Sequence, residues 1–220
     1  MNKFLSLAVL GSAMTLRLAA DQASPGKELT AALKELVTKD NYSWTTKVKN
    51  GLGPIEGQIS KEGRMYVVTS LPGTRGTREA AVVAGKFAEK FPSGWRVTPN
   101  LGTQREIGGL LRNRYDPAVQ AADLVSKVAK LNYRDQGVYF GNLTEEAANG
   151  LSGLLGWEVG QSAAAKGTAT FWVKEGTLVR FEYHVVLVSG EREVTKTTEI
   201  KDIGTTKVEI PEEAEEVLNK

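Results

Sequence analysis

The sequence predicts an α+β fold, an antiparallel sheet with helices gathered on one face. Segments of helical period occur at the start and in the middle of the chain, with blocks of strand-like segments between and after them. Within each block most strands follow one another through short loops, which is how antiparallel neighbours connect. The strand–helix–strand alternation of a parallel sheet is absent.

Each element has its own signal. Ser24-Pro25 places an N-cap before a proline at the first helical position. Leu29, Ala32, Leu33, Leu36 and Val37 then make one apolar stripe, and the helix should end near Lys39-Asp40-Asn41. Tyr42 to Val48 alternates aromatic and β-branched residues, and Asn50-Gly51 is a turn. Ile55 to Ser60 and Arg64 to Ser70 flank Lys61-Glu62-Gly63, a hairpin loop with glycine near the position that needs positive φ. Leu71-Pro72-Gly73 breaks the run. Ala80 to Val83 and Lys86 to Phe91 flank Ala84-Gly85 as a second hairpin, with a helix as the competing reading because alanine is abundant. Pro92-Ser93-Gly94 is a further turn, followed by Trp95.

The middle reads as helical. Thr103 to Arg112 is a short helix weakened by Gly108-Gly109. Asp116-Pro117 starts another, with Ala121, Leu124, Val125 and Val128 as its apolar stripe and an end around Leu131. Tyr133 to Phe140 reads as one strand. Thr144-Glu145-Glu146 opens a helix whose apolar side is Leu151, Leu154 and Leu155. Gln161 to Lys166 reads as a loop. Thr168 to Val173 and Leu178 to Val188 flank Lys174-Glu175-Gly176. In the second of these, Val179, Phe181, Tyr183, Val185 and Leu187 share one face, and Arg180, Glu182 and His184 the other. Val194 to Ile200 and Thr205 to Glu209 are two more strands, and Pro211 with Glu212 to Glu216 makes a terminal helix.

Composition narrows the function. A domain of 220 residues buries roughly 70% of the surface its unfolded chain exposes, so it needs no covalent staple. With 41% hydrophobic and 25% charged residues, 7 Pro and 23 Gly, the chain is not collagen-like, low-complexity or wholly disordered. Cysteine is absent, which excludes disulfides, thiolate metal sites, a cysteine nucleophile and a lipidated cysteine. His184 is the one histidine, which argues against a multi-histidine zinc site.

Residues Met1 to Ala20 read as a secretory signal peptide: Lys3, an apolar stretch from Phe4 to Met14, and the small residues Ala19-Ala20 before Asp21-Gln22. Arg17 is unusual there, and the alternative is a short N-terminal helix of the folded domain. Residues 21–220 then form one domain, with no internal boundary or short-period repeat. Losing Lys3 and Arg17 leaves 26 basic and 26 acidic residues, so the domain carries no electrostatic footprint for nucleic acid. Arg105, Arg112 and Arg114 are the nearest approach to a basic patch and read as surface charge.

No constellation signals catalysis or metal binding. His184 reads as a surface histidine in a cross-strand charge cluster. Gly51-Leu52-Gly53 and Gly108-Gly109 lack the context of a phosphate loop. Glu212, Glu213, Glu215 and Glu216 lack the spacing of a calcium loop and read as a solvated helix face. Asn142-Leu143-Thr144 matches a glycosylation sequon and equally a turn with a helix cap. Trp44, Trp95 and Trp172 read as core, while Trp157, among Gly153, Gly156 and Gly160, is either core or the rim of a cavity. The expectation is no enzyme, no cofactor and no metal.

The stretch Gly167-Thr168-Ala169-Thr170-Phe171-Trp172-Val173-Lys174-Glu175-Gly176-Thr177-Leu178-Val179-Arg180-Phe181-Glu182 resembles the paired strands of the LolA-like superfamily. That group includes periplasmic lipoprotein carriers and the LppX/LprG-type lipid-binding lipoproteins. Thr197 to Pro211 resembles its closing strands, and the element order from Ser24 to Ser70 fits as well. The resemblance implies a strongly curved antiparallel sheet, a half-open barrel, with helices covering the concave face and a hydrophobic cavity for acyl chains. It implies a lid latch, for which Arg64 in Lys61-Glu62-Gly63-Arg64 is the candidate, although the accompanying proline is missing. Without a cysteine the chain departs from the lipid-anchored members, and the expectation is a periplasmic monomer with no transmembrane segment.

Two roles follow. One is a binder or carrier of a hydrophobic, acylated ligand, with Val179, Phe181, Tyr183, Val185, Leu187, Leu124 and Val128 lining the pocket. The other is a scaffold or sensor of the same fold with a filled core, acting through an envelope protein partner. The same apolar row serves as ordinary core in one and pocket floor in the other.

Overall fold

A computed structural model of the chain describes residues 24–49, 53–70, 76–97, 115–154, 164–187 and 193–220; of these, the side chains of 152–154, 164, 165 and 187 are not described. The expected signal segment, the helix over Thr103 to Arg112, Arg105, Arg112, Arg114 and Trp157 lie outside the described residues.

The chain opens with helix α1 (Pro25–Thr38). Leu29, Ala32, Leu33 and Leu36 recur at the spacing that puts them on one face, and all four are buried. Each buried leucine contributes roughly 1.5–3 kcal/mol before entropy is counted. Val37, expected in the same stripe, is 65% exposed, because it falls beyond the edge of that face.

Six strands follow as a meander: β1 (Asn41–Val48), β2 (Ile55–Ser60), β3 (Met65–Ser70), β4 (Thr77–Val83), β5 (Lys86–Phe91) and β6 (Gly94–Val97). The β4–β5 turn is Ala84-Gly85, both at positive φ, so the hairpin reading holds and the helical competitor falls away. Trp95 sits on β6, a strand that has no signal of its own in the sequence.

Helix α2 (Pro117–Ser126) starts at Asp116, whose carboxylate accepts from the Ala118 amide at 2.9 Å. It ends earlier than the stripe suggested: Val128 lies past the end of the helix and forms a bridge with Leu143. The segment read as one strand is a hairpin, β7 (Asn132–Tyr133) and β8 (Val138–Asn142), because Gln136 and Gly137 take positive φ and turn the chain. Helix α3 (Glu145–Leu154) follows, with Thr144 Oγ1 accepting from the Ala147 amide. Strands β9 (Ala164–Lys174), β10 (Thr177–Leu187) and β11 (Glu193–Lys201) make the second meander, β9 extending into the stretch read as a loop. The stretch Thr205 to Glu209 is not a strand: it runs as an irregular strap, held by Gly204 to Asn41 and by the Glu209 amide to Gln58 Oε1. Helix α4 (Glu212–Leu218) closes the chain.

All eleven described strands form one sheet in the order β6-β5-β4-β3-β2-β1-β11-β10-β9-β8-β7, every neighbour antiparallel. The order leaves β6 and β7 as edges, so the sheet is a half-open barrel and does not close. Alternation divides its two faces. Val82, Phe87, Phe171, Phe181 and Val185 point inward and share a core with α1, α2 and α3. Ala81, Ala88 and Trp95 point outward and pack with Ala214 and Leu218 of α4. Arg64 also faces outward and pairs with Glu215 of α4. Its ion pair therefore holds the terminal helix on the convex side, whereas α1 to α3 lie on the concave side.

Two outcomes test this arrangement. Arg64→Leu should speed amide hydrogen exchange in α4 and leave α1 protection unchanged, with a loss of about 0.2–1 kcal/mol because both partners are a third exposed; faster exchange in α1 would show a latch on the concave side. Gly137 (φ 83°) and Gly176 (φ 75°) both need the left-handed region, but only at Gly137 would a Cβ collide with the Val173 carbonyl. Gly176→Ala should cost about 1 kcal/mol and Gly137→Ala about 3 kcal/mol in urea unfolding; equal losses would contradict the close approach.

Candidate functional site

An open space lies between α1 and the inner face of the sheet at one end. It is a cleft of about 560 Å³, within the size range of ligand pockets. Its helical wall is Glu28, Ala31 and Ala32, its sheet wall is Tyr139 of β8 and Val173 of β9, and two turns complete it, Gln136-Gly137 and Lys174-Glu175-Gly176.

The turns make a stiff rim. Glu175 and Gly176 both take positive φ, the conformation of a tight two-residue hairpin, and Lys174 pairs with Thr177 across it. The other turn is closed by the Val138 amide donating to Asp135 at 2.8 Å. The Val173 amide then donates to the Gly137 carbonyl at 2.8 Å, stitching one turn to the neighbouring strand. Only glycine permits that approach, since a side chain at 137 would strike the Val173 carbonyl.

Polar chemistry in the cleft centres on one pair. The Tyr139 hydroxyl donates to Glu28 Oε2 at 2.8 Å. Burial pushes the Tyr139 phenol up to about 12, and the hydrogen bond to Glu28 adds to the shift. The hydroxyl therefore keeps its proton at physiological pH and remains a fixed donor. The Tyr133 ring packs at 5.5 Å from that of Tyr139 and holds it in place. Ala31, Ala32 and Val173 supply apolar wall, and Gln136, Lys174 and Glu175 bring further polar groups at the turns. A second hollow of about 200 Å³, at Ala129, Lys130, Asn132, Phe140, Gly141 and Asn142, is smaller than a usual ligand site.

The structure brings part of the expected pocket row together. Phe181, Tyr183 and Val185 lie side by side on the inner face of β10, buried among α1, α2 and α3, with Leu124 of α2 in the same core. Burial raises the Tyr183 phenol well above its ordinary value. Val179 leaves the row: a bulge between Leu178 and Arg180 shifts the register, and Leu178 takes the core position while Val179 is half-buried. Val128, beyond the end of α2, packs at the margin of the core. The side chain of Leu187 lies outside the described residues. None of these residues lines the cleft.

Elsewhere, His184 sits on the convex face with Nδ1 3.0 Å from Thr195 Oγ1 and Nε2 3.7 Å from Glu193. No cluster of acidic or histidine side chains suited to a metal ion occurs among the described residues. No described helix is long and apolar enough to cross a membrane.

Sequence reasoning missed Glu28, Ala31, Ala32, Tyr139 and Val173 as cleft residues. Gly137, in the run Asp135-Gln136-Gly137, was the one available signal, since it marks the turn that exposes Tyr139 beside α1. The pairing of Glu28 with Tyr139 spans 111 positions and leaves no local trace.

No family model matches the chain, and no curated protein matches its sequence. Solved structures do. Lipoprotein LppX of Mycobacterium tuberculosis superposes with a TM-score of 0.54 at 16% identity, covering 84% of this chain and 98% of LppX. LprF of Mycobacterium bovis gives a TM-score of 0.49 at 14% identity over 87% of this chain and 100% of its own. A LolA superfamily protein of Nitrosomonas europaea gives 0.35 at 10% identity over 90% and 98%. The match to LppX runs through nearly all of that structure. The chain has the fold of LppX, an open antiparallel sheet with helices over one face.

Proposed function

We propose that this protein is an exported, non-enzymatic binder or carrier of a hydrophobic, acylated ligand, which enters between α1 and the sheet through the cleft. The cleft itself carries the reading: about 560 Å³ of open space walled by Ala31, Ala32, Tyr139 and Val173, on the concave side of a fold shared with the lipoprotein LppX. The driving force is burial of methylenes, worth about 0.8 kcal/mol each, so a chain of about ten gains roughly 8 kcal/mol before the cost of immobilising it. No specific polar contact is required to hold such a tail. The core row of Phe181, Tyr183 and Val185 is packed beneath the helices and does not line the cleft, so a ligand reaches it only if α1 moves. Removal of Met1 to Ala20 would place the mature chain in the periplasm.

A second reading has its own support. Phe181 and Val185 are 2% and 0% exposed beneath the helices, as in a domain whose core is filled and which works through a protein partner.

Uptake of the neutral dye N-phenyl-1-naphthylamine separates the two. The wild-type chain should bind the dye and brighten its fluorescence. Ala31→Trp should weaken uptake by about tenfold or more, with unchanged thermal unfolding because Ala31 is exposed on α1. A well-folded wild type that takes up no dye favours the filled-core reading and removes the carrier reading. Phe181→Asp is a poor substitute, since burying an unpaired carboxylate there abolishes folding under either reading.

A further inference from the structure

We propose that Glu28 reads the polar end of the ligand, so that the cleft selects amphiphiles with an ammonium-bearing head over those with an anionic head. This rests on the binding role proposed above.

Glu28 is half-buried in the first turn of α1 and lines the cleft. Its Oε2 accepts one hydrogen bond, from Tyr139 at 2.8 Å. An ionised carboxylate offers about four acceptor directions, and no other described residue donates to this one. Tyr139 takes up one direction, at Oε2. The unused directions are left for a donor in the cleft.

Charge balance points the same way. The only other charged side chains on the cleft are Lys174 and Glu175. They are exposed and lie 4.0 Å from one another on the hairpin turn, so each offsets the other. The lining thus carries two carboxylates against one ammonium. An anionic head placed beside Glu28 would meet a like charge in a half-desolvated site, which costs affinity. An ammonium head offers three donors and the opposite charge. Ala31, Ala32 and Val173 next to it supply the apolar surface for the tail. One end of the cleft therefore suits a cation and the rest suits hydrocarbon.

A plain structural role for Glu28, pinning α1 to β8 through Tyr139, makes a different prediction, and a competition experiment tells the two apart. Bound N-phenyl-1-naphthylamine is displaced from the full chain by dodecylammonium or by dodecanoate, two amphiphiles of equal tail and opposite head charge. The wild-type chain should require about tenfold less dodecylammonium than dodecanoate. Glu28→Gln keeps an acceptor for Tyr139 and should bring the ratio toward one. Glu62→Gln, which removes an exposed carboxylate on the β2–β3 turn away from the cleft, should leave the ratio near its wild-type value. A ratio near one in the wild type, or one unchanged in Glu28→Gln, overturns the assignment and leaves Glu28 as a pin, with the carrier role untouched. A wild type that binds no dye removes the carrier role, and this inference with it.

Discussion

The architecture depends on the pairing of β1 with β11. These strands meet antiparallel from Ser43 opposite Lys201 to Val48 opposite Lys196. The pairing joins the first meander, β1 to β6, to the half of the sheet made by β7 to β11, across most of the length of the chain. Without it the sheet would split in two, and its concave face would have no continuous floor. The seam is reinforced on both sides. Thr46 and Thr198 share a buried hydrogen bond of 2.8 Å on the inner face. On the outer face Ser43 donates to Asp202 at 2.7 Å, and at the end of β1 Lys49 pairs with Glu193 at 2.8 Å.

Given that seam, the position of α1 follows. The helix immediately precedes β1 and folds back over the concave face, where it packs on β10 and β9. Leu29, Leu33 and Leu36 face the core while Glu28, Ala31 and Ala32 are left along the edge toward β8. The small alanines leave space unfilled beside Tyr139 and Val173, and the two turns border it. A polar seam fixes the neighbouring helix: Tyr42 donates to the buried Asp116 at 2.6 Å, and Lys196 donates to Gln120 of α2 at 2.7 Å. Buried polar groups satisfied in this way specify one placement of a helix where an apolar contact alone would tolerate several. The convex side is secured independently by the strap to Gln58 and by Arg64 with Glu215.

Much of this was legible in the sequence, and the misses have physical causes. Ile55–Ser60 and Lys86–Phe91 are read to the residue because alternation and turn chemistry agree there. The row on β10 is read correctly from Phe181 to Val185, but a bulge is a register event that alternation cannot announce, so Leu178 and not Val179 enters the core. The helix through Val128 fails because the apolar stripe continues after the backbone has left the helix to pair with Leu143. Thr205 to Glu209 has β composition and no neighbour left to pair with, since β1 already occupies the free edge of β11. Arg64 is an apt residue for an ion pair, but its partner lies on α4, and which face of the sheet it serves depends on register. The cleft was the least legible feature: its walls come from α1 and two distant turns, and an absence of packing has no sequence pattern.

The central claim is that the space between α1 and the concave face holds an apolar guest. Native mass spectrometry of the chain, purified without detergent and again after solvent extraction, tests it most directly. The account predicts an extra non-covalent mass on the first sample, released as an acyl-bearing molecule and missing from the second. A bare polypeptide mass in both, from protein that is folded and unable to take the molecule up again, would contradict it.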